Sequence, residues 1–132
     1  MPNERVTIRT PDGDCPMDVL VPSGHGPWPA VILYMDAGGI RPAMRDMARH
    51  LSEAGYVVAL PDLFYRYGPY GPFVPREVFA GDFRATLGPL MATTDPQKAA
   101  GDTDAILAYL ETRADVAGAT VGAVGFCMGG GF

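Results

Sequence analysis

Three short apolar runs constrain the fold of this chain more than any other feature: Ala30–Met35 (AVILYM), Tyr56–Leu60 (YVVAL) and Thr120–Gly125 (TVGAVG). They are continuous rather than alternating, the mark of strands covered on both faces. The segments between them read as helical. After the first run and the turn DAGGI, Pro42 suits a first helical turn, and Met44, Met47, Ala48 and Leu51 fall at i, i+3, i+4 and i+7. Gly55 is a natural stop. Before the third run, Asp95 is placed to cap a long helix and Pro96 to start it, with a core stripe of Ala99, Thr103, Ile106, Leu107 and Leu110. Gly81–Met91 holds a shorter helix. Strand, helix and strand in this order predict a right-handed parallel crossover.

The first thirty residues read differently. Glu4–Thr10 alternates, with Val6 and Ile8 on one side; PDGD at Pro11–Asp14 signals a turn; Cys15–Val21 is again strand-like. This predicts an antiparallel hairpin, with Pro16 on an edge strand where a missing N–H does no harm. Pro22–Pro29 is a loop in which Trp28 packs ahead of the first apolar strand. Pro61–Phe79 is aromatic and proline-rich, and reads as a loop over the carboxyl end of the sheet. The expected class is α/β: a mostly parallel sheet with an antiparallel N-terminal hairpin.

Composition narrows the functions open to such a fold. At 132 residues the chain suggests one domain, and its net charge of -5 offers no basic stripe for nucleic acid. No run nears the ~18 apolar residues of a membrane span, and the N-terminus lacks a secretion signal. Cys15 and Cys127 are too few for a disulfide framework, so a reducing cytoplasm with free thiols is the expected setting. Cys15 reads as a small apolar filler, and no His/Cys/Asp/Glu cluster has metal-ligand spacing. No cofactor is implied.

The chemistry-bearing stretch is Gly125-Phe126-Cys127-Met128-Gly129, directly after the third apolar run. A buried strand must turn sharply into a helix here. The apex residue then stands clear of the sheet in strained backbone angles, and its neighbours two positions away come so close that they must be glycine. This is the nucleophile elbow G-x-S-x-G with cysteine for serine. It exposes the sulfur at the carboxyl edge, aims the Met128 N–H at a developing oxyanion, and sets a helix N-terminus to favour thiolate. The plain alternative is a buried structural cysteine at a tight strand–helix junction. A phosphate loop does not fit: Cys127 holds the middle glycine position of G-x-G-x-x-G, and no Lys-Ser/Thr follows.

Pro29–Gly39 (PAVILYMDAGG), Leu51–Arg66 (LSEAGYVVALPDLFYR) and Val121–Gly130 (VGAVGFCMGG) resemble the dienelactone hydrolase family of α/β-hydrolases. The resemblance implies cleavage of a small-molecule ester or lactone through an acyl-enzyme on Cys127. It implies an oxyanion hole from the N–H groups of Ala37 and Met128. Asp36 falls where the family often has a longer glutamate that contacts the resting cysteine. Arg66 matches an arginine that holds a substrate carboxylate through its fork of donors. Phe64, Tyr65, Tyr67 and Tyr70 differ from the best-known member, which implies a different substrate.

In this fold the acid and the histidine follow the nucleophile, yet the only histidines, His25 and His50, precede Cys127. Residues 1–132 are therefore expected to be the N-terminal part of a single α/β-hydrolase domain, lacking the downstream Asp and His and inactive alone. Two rival readings remain: a non-catalytic hydrolase-like scaffold that binds a ligand or partner, and an acyl transferase on the same residues. Asp62 reads as a turn cap, with substrate contact as the alternative.

Overall fold

A computed structural model describes residues 3–35, 39–68 and 83–125. Among these, five strands form one sheet: β1 (Asn3–Thr10), β2 (Gly13–Leu20), β3 (Trp28–Tyr34), β4 (Val57–Pro61) and β5 (Val116–Gly125), in the order β1-β2-β4-β3-β5. β1 and β2 form the expected antiparallel hairpin, β2 meets β4 antiparallel, and β4, β3 and β5 run parallel. Helix α1 (Pro42–Glu53) links β3 to β4; α2 (Phe83–Met91) and α3 (Pro96–Glu111) precede β5. The mixed α/β sheet is the one the sequence implies. No helix among the described residues is long and apolar enough to cross a membrane.

The apolar runs are continuous because they are covered on both sides. Val57, Val58, Ala59 and Leu60 of β4 and Ile32 and Leu33 of β3 are at most 2% exposed. Each large side chain so buried contributes about 1.5–3 kcal/mol. The chain moves from β3 outward to β4, then back across β3 to β5. Right-handed crossovers in opposite directions put α1 and α3 on opposite faces. Side-chain parity on β2 agrees: Asp18 pairs with Arg45 of α1, whereas Cys15, of opposite parity, lies on the face of Asp102 in α3.

Helix ends follow their sequence signals. Asp95 accepts a hydrogen bond from Lys98 N, Pro96 opens α3, Pro42 opens α1, and Gly55 after α1 takes φ of 105°, a conformation open to glycine at little cost.

Four expectations need correction. Pro16 is not on an edge: β2 lies between β1 and β4. Its carbonyl accepts from Asp62 N, just past the last β2–β4 pair, Met17 with Pro61. The N–H it lacks would face the Asp62 carbonyl, which accepts from Tyr65 N and Cys15 Sγ instead. The core side of α1 is Met44, Ala48 and Ser52, a spacing of four, while Met47 is 36% exposed. β3 begins at Trp28, whose N–H donates to Asp115 O, so the preceding loop is shorter than expected. β5 begins at Val116 rather than Thr120, because its ladder with β3 is interrupted by a bulge containing Gly118 at φ of 77°.

Candidate active site

The parallel strands β3, β4 and β5 end at one edge of the sheet. Tyr34 at the end of β3 pairs with Gly125 at the end of β5. The offset that pairs Ile32 with Ala59 carries Tyr34 level with Pro61, the end of β4. β3 is also where the strand order reverses, with β4 on one side and β5 on the other. Open α/β sheets bind ligands in the crevice outside such a switch point. Asp36 and Ala37 follow Tyr34 by two and three residues, and Cys127 and Met128 follow Gly125 by the same steps. All four lie outside the described residues, as does Tyr70. Their immediate supports are described: Met35 is fully buried and Gly125 closes the β3–β5 ladder.

The turn after β4 carries the other expected site residue. Asp62 is a turn cap: its Oδ1 accepts from Phe64 N at 3.1 Å, its carbonyl accepts from Tyr65 N, and Leu63 and Phe64 anchor the turn with no exposed surface. Arg66 then points inward. Its Nη1 and Nη2 donate to the two oxygens of Asp102 on α3, each at 2.9 Å, and its Nε donates to Asp12 at 2.8 Å. The guanidinium stacks on the Tyr65 ring at 4.6 Å. Burial works against its charge, but the bonds to Asp102 and Asp12 outweigh burial and hold its pKa above the ordinary value. The fork that a substrate carboxylate would need is thus engaged by Asp102.

Tyr65 adds a second tie. Its phenol donates to Asp102 Oδ1 at 2.7 Å and lies 2.6 Å from Thr10 Oγ1 in the β1–β2 turn. Burial chiefly, opposed by the Thr10 bond and reinforced by Asp102, raises the phenol above its usual range. Cys15 lies beneath, fully buried, with Sγ donating to the Asp62 carbonyl at 3.5 Å. Burial, then the charges of Asp102 and Asp62, pushes its thiol up to about 12, so at neutral pH it is an inert apolar filler.

One residue along α3, Thr103 reaches the end of β3. Its hydroxyl donates to Ala99 O at 2.8 Å, which leaves it to accept from the Tyr34 hydroxyl at 2.6 Å. Sequence reasoning missed Asp102, although a signal was present. Asp102 lies on the buried stripe Ala99, Asp102, Ile106 and Leu110, and a carboxylate on an apolar stripe must have a buried partner.

Neither histidine reaches this edge. His25 lies in the exposed loop that leads into the start of β3, and His50 is exposed in the last turn of α1, just before the chain re-enters the sheet at β4; both stand at the amino edge. Among the described residues no group of His, Cys, Asp and Glu is arranged to hold a metal ion.

A sequence model of the dienelactone hydrolase family matches residues 17–132. The carboxymethylenebutenolidase of Pseudomonas putida is 25% identical over 130 residues, covering 98% of this chain and 53% of that protein. Among solved structures, a provisionally named dienelactone hydrolase of Klebsiella pneumoniae superposes with a TM-score of 0.75 at 22% identity, over 97% of this chain and 50% of that one. A dienelactone hydrolase-like promiscuous phosphotriesterase from metagenomic libraries gives 0.66 at 22% identity, over 98% of this chain and 51% of the other. The chain spans about half the length of the relatives it matches.

Proposed function

This chain belongs to the dienelactone hydrolase family, and on that premise we propose that it forms the nucleophile-bearing half of a hydrolase that cleaves a small ester or lactone through Cys127. The observation that carries the reading is the pairing of Tyr34 with Gly125 at the switch point, because it starts both candidate segments, 36–37 and 127–128, from neighbouring strand ends. In this reading the Cys127 thiolate attacks the acyl carbon and the C–O bond to the leaving alcohol breaks. The N–H groups of Ala37 and Met128 hold the oxyanion, and water then cleaves the thioester to release the acid. Asp36 contacts the resting thiol or the substrate. Arg66, its fork engaged by Asp102, serves the site as a support rather than as the first ligand of a substrate carboxylate.

An imidazole must take and return the proton, and a carboxylate must orient it. His25 and His50 stand at the opposite edge, so in this reading the imidazole is supplied from outside residues 1–132. A cytoplasmic setting belongs to the same reading.

The test uses the full-length protein and p-nitrophenyl esters. Cys127→Ala is expected to abolish turnover, and iodoacetamide to remove activity in step with modification of Cys127. Turnover intact in Cys127→Ala would overturn the nucleophile assignment. Binding of a small lactone without any turnover would favour the scaffold reading. Acyl transfer to an added alcohol in preference to water would favour the transferase.

A further inference from the structure

We infer that Asp102 and Thr103, adjacent on α3, are positioning residues that set the two walls of the carboxyl-edge site independently; the inference rests on the hydrolase reading above. Asp102 governs the wall that leaves β4, and Thr103 the wall that leaves β3.

The geometry separates the two roles. Asp102 receives the Arg66 fork and the Tyr65 phenol, so three hydrogen bonds tie the 62–68 turn to the helix. Thr10 and Asp12 join the same knot from the β1–β2 turn, through Tyr65 and Arg66. Among the described residues, none of the hydrogen bonds of this knot goes to β3. Thr103 receives the Tyr34 hydroxyl, two residues before Asp36 and three before Ala37. The helix itself is held apart from either wall, by its Asp95 cap and by the burial of Ala99, Ile106 and Leu110. It therefore serves as a rigid reference for both.

A buried charge pair is a poor choice for stability alone, since apolar packing of similar volume holds as well or better. What the planar fork adds is orientation: two parallel N–H···O bonds leave the Arg66 side chain one rotation and one depth. The turn it orients leads directly into the aromatic, proline-rich segment expected to face substrate. The Tyr34–Thr103 bond acts on a different quantity, because the end of β3 feeds the Ala37 donor, which is needed where charge develops. Loosening the first wall weakens substrate binding, and loosening the second slows chemistry.

The experiment measures kcat and KM for p-nitrophenyl butyrate in the full-length protein at a temperature where every variant is folded by near-ultraviolet circular dichroism. Asp102→Asn is expected to raise KM about 10-fold with kcat within about 2-fold. Thr103→Val is expected to lower kcat about 10-fold at constant KM, and Thr103→Ser to restore it. Should Asp102→Asn not fold, Arg66→Lys, which keeps the charge but loses the fork, carries the same expectation. Amide hydrogen exchange is read on the same variants: faster at 62–68 only in Asp102→Asn, and at 34–40 only in Thr103→Val. Wild-type kinetics with unchanged exchange overturns the inference. So does a loss of kcat and KM together in both variants, which would mean a single structural unit. If wild type turns over ester no faster than Cys127→Ala, the hydrolase reading fails on its own, and the exchange pattern alone then decides the two-wall inference.

Discussion

The two edges of the sheet carry arginine clusters that look alike and sit in different surroundings. At the carboxyl edge Arg66 binds Asp102 and Asp12 and stacks on Tyr65. At the amino edge Arg113 binds Asp115 and Glu4, bonds the Tyr109 hydroxyl at 2.9 Å and lies 5.9 Å from that ring. Both side chains are 11% exposed. The clusters differ in one acceptor: Asp12 at 50% is as exposed as Glu4 at 47%, but Asp102 is 1% exposed where Asp115 is 30%. Counting ion pairs would rank the clusters equal, with two each. Burial does not, because a pair hidden from water is costly to break from one side, while water replaces most of an exposed pair.

The largest effect expected from that contrast is on Asp102→Ala. It strips the Arg66 fork and the Tyr65 phenol of their shared buried acceptor, and should cost about 3 kcal/mol in urea unfolding. A cost under about 1 kcal/mol would show that Asp12 and water suffice for Arg66, and would erase the difference between the edges.

Cys15 offers a sharper probe of burial at the carboxyl edge. With its thiol raised to about 12 and fully buried, it should resist iodoacetamide at pH 8 in the native protein and react only in denaturant. Mass spectrometry of the labelled peptide reads this directly, and native labelling of Cys15 would mean that this edge opens.

At the amino edge, Arg113→Ala should cost only about 0.5–1 kcal/mol, since both acceptors regain water. A loss as large as that of Asp102→Ala would show that exposure does not separate the clusters.

The smallest effect is a slope against pH. Arg113, through its hydrogen bonds, holds Glu4 and Asp115 below their ordinary values of 4.5 and 3.8. Carboxylates so depressed contribute stability above their unfolded values and lose it as pH falls through the lower folded values. Unfolding free energy should therefore decline between about pH 5 and 3, and Arg113→Ala should flatten part of that decline. An unchanged slope would remove the amino-edge pairs from the acid response.

What was legible in the sequence divides along the same physical line. Local signals were read correctly where they act locally: the Asp95 cap, the prolines that open α1 and α3, Gly55 after α1, and the doubly covered β3 and β4. The site motif was legible as a pattern, because a strand ending in G-x-C-x-G restricts chemistry before any fold is known. Pro16 was misread because its neighbours are set by β4, some forty residues away in the chain. Met47 was misread because the packed face of a helix is chosen by the sheet beneath it, and here Ser52 fills that face.

By its own pattern, then, the sequence determined the α/β class, the order of elements and the strand that leads into the G-x-C-x-G motif. Each of these follows from residue spacing and from which residues water rejects. Only the tertiary structure decided that Arg66 turns inward to Asp102, that Tyr34 reaches Thr103, and that both histidines stand at the far edge. Those pairings join residues 36 and 69 positions apart, or fall to opposite ends of a sheet. No local periodicity encodes which distant partner completes a buried charge or hydroxyl; the need for a partner is written in the chain, and its identity appears only when the chain has folded.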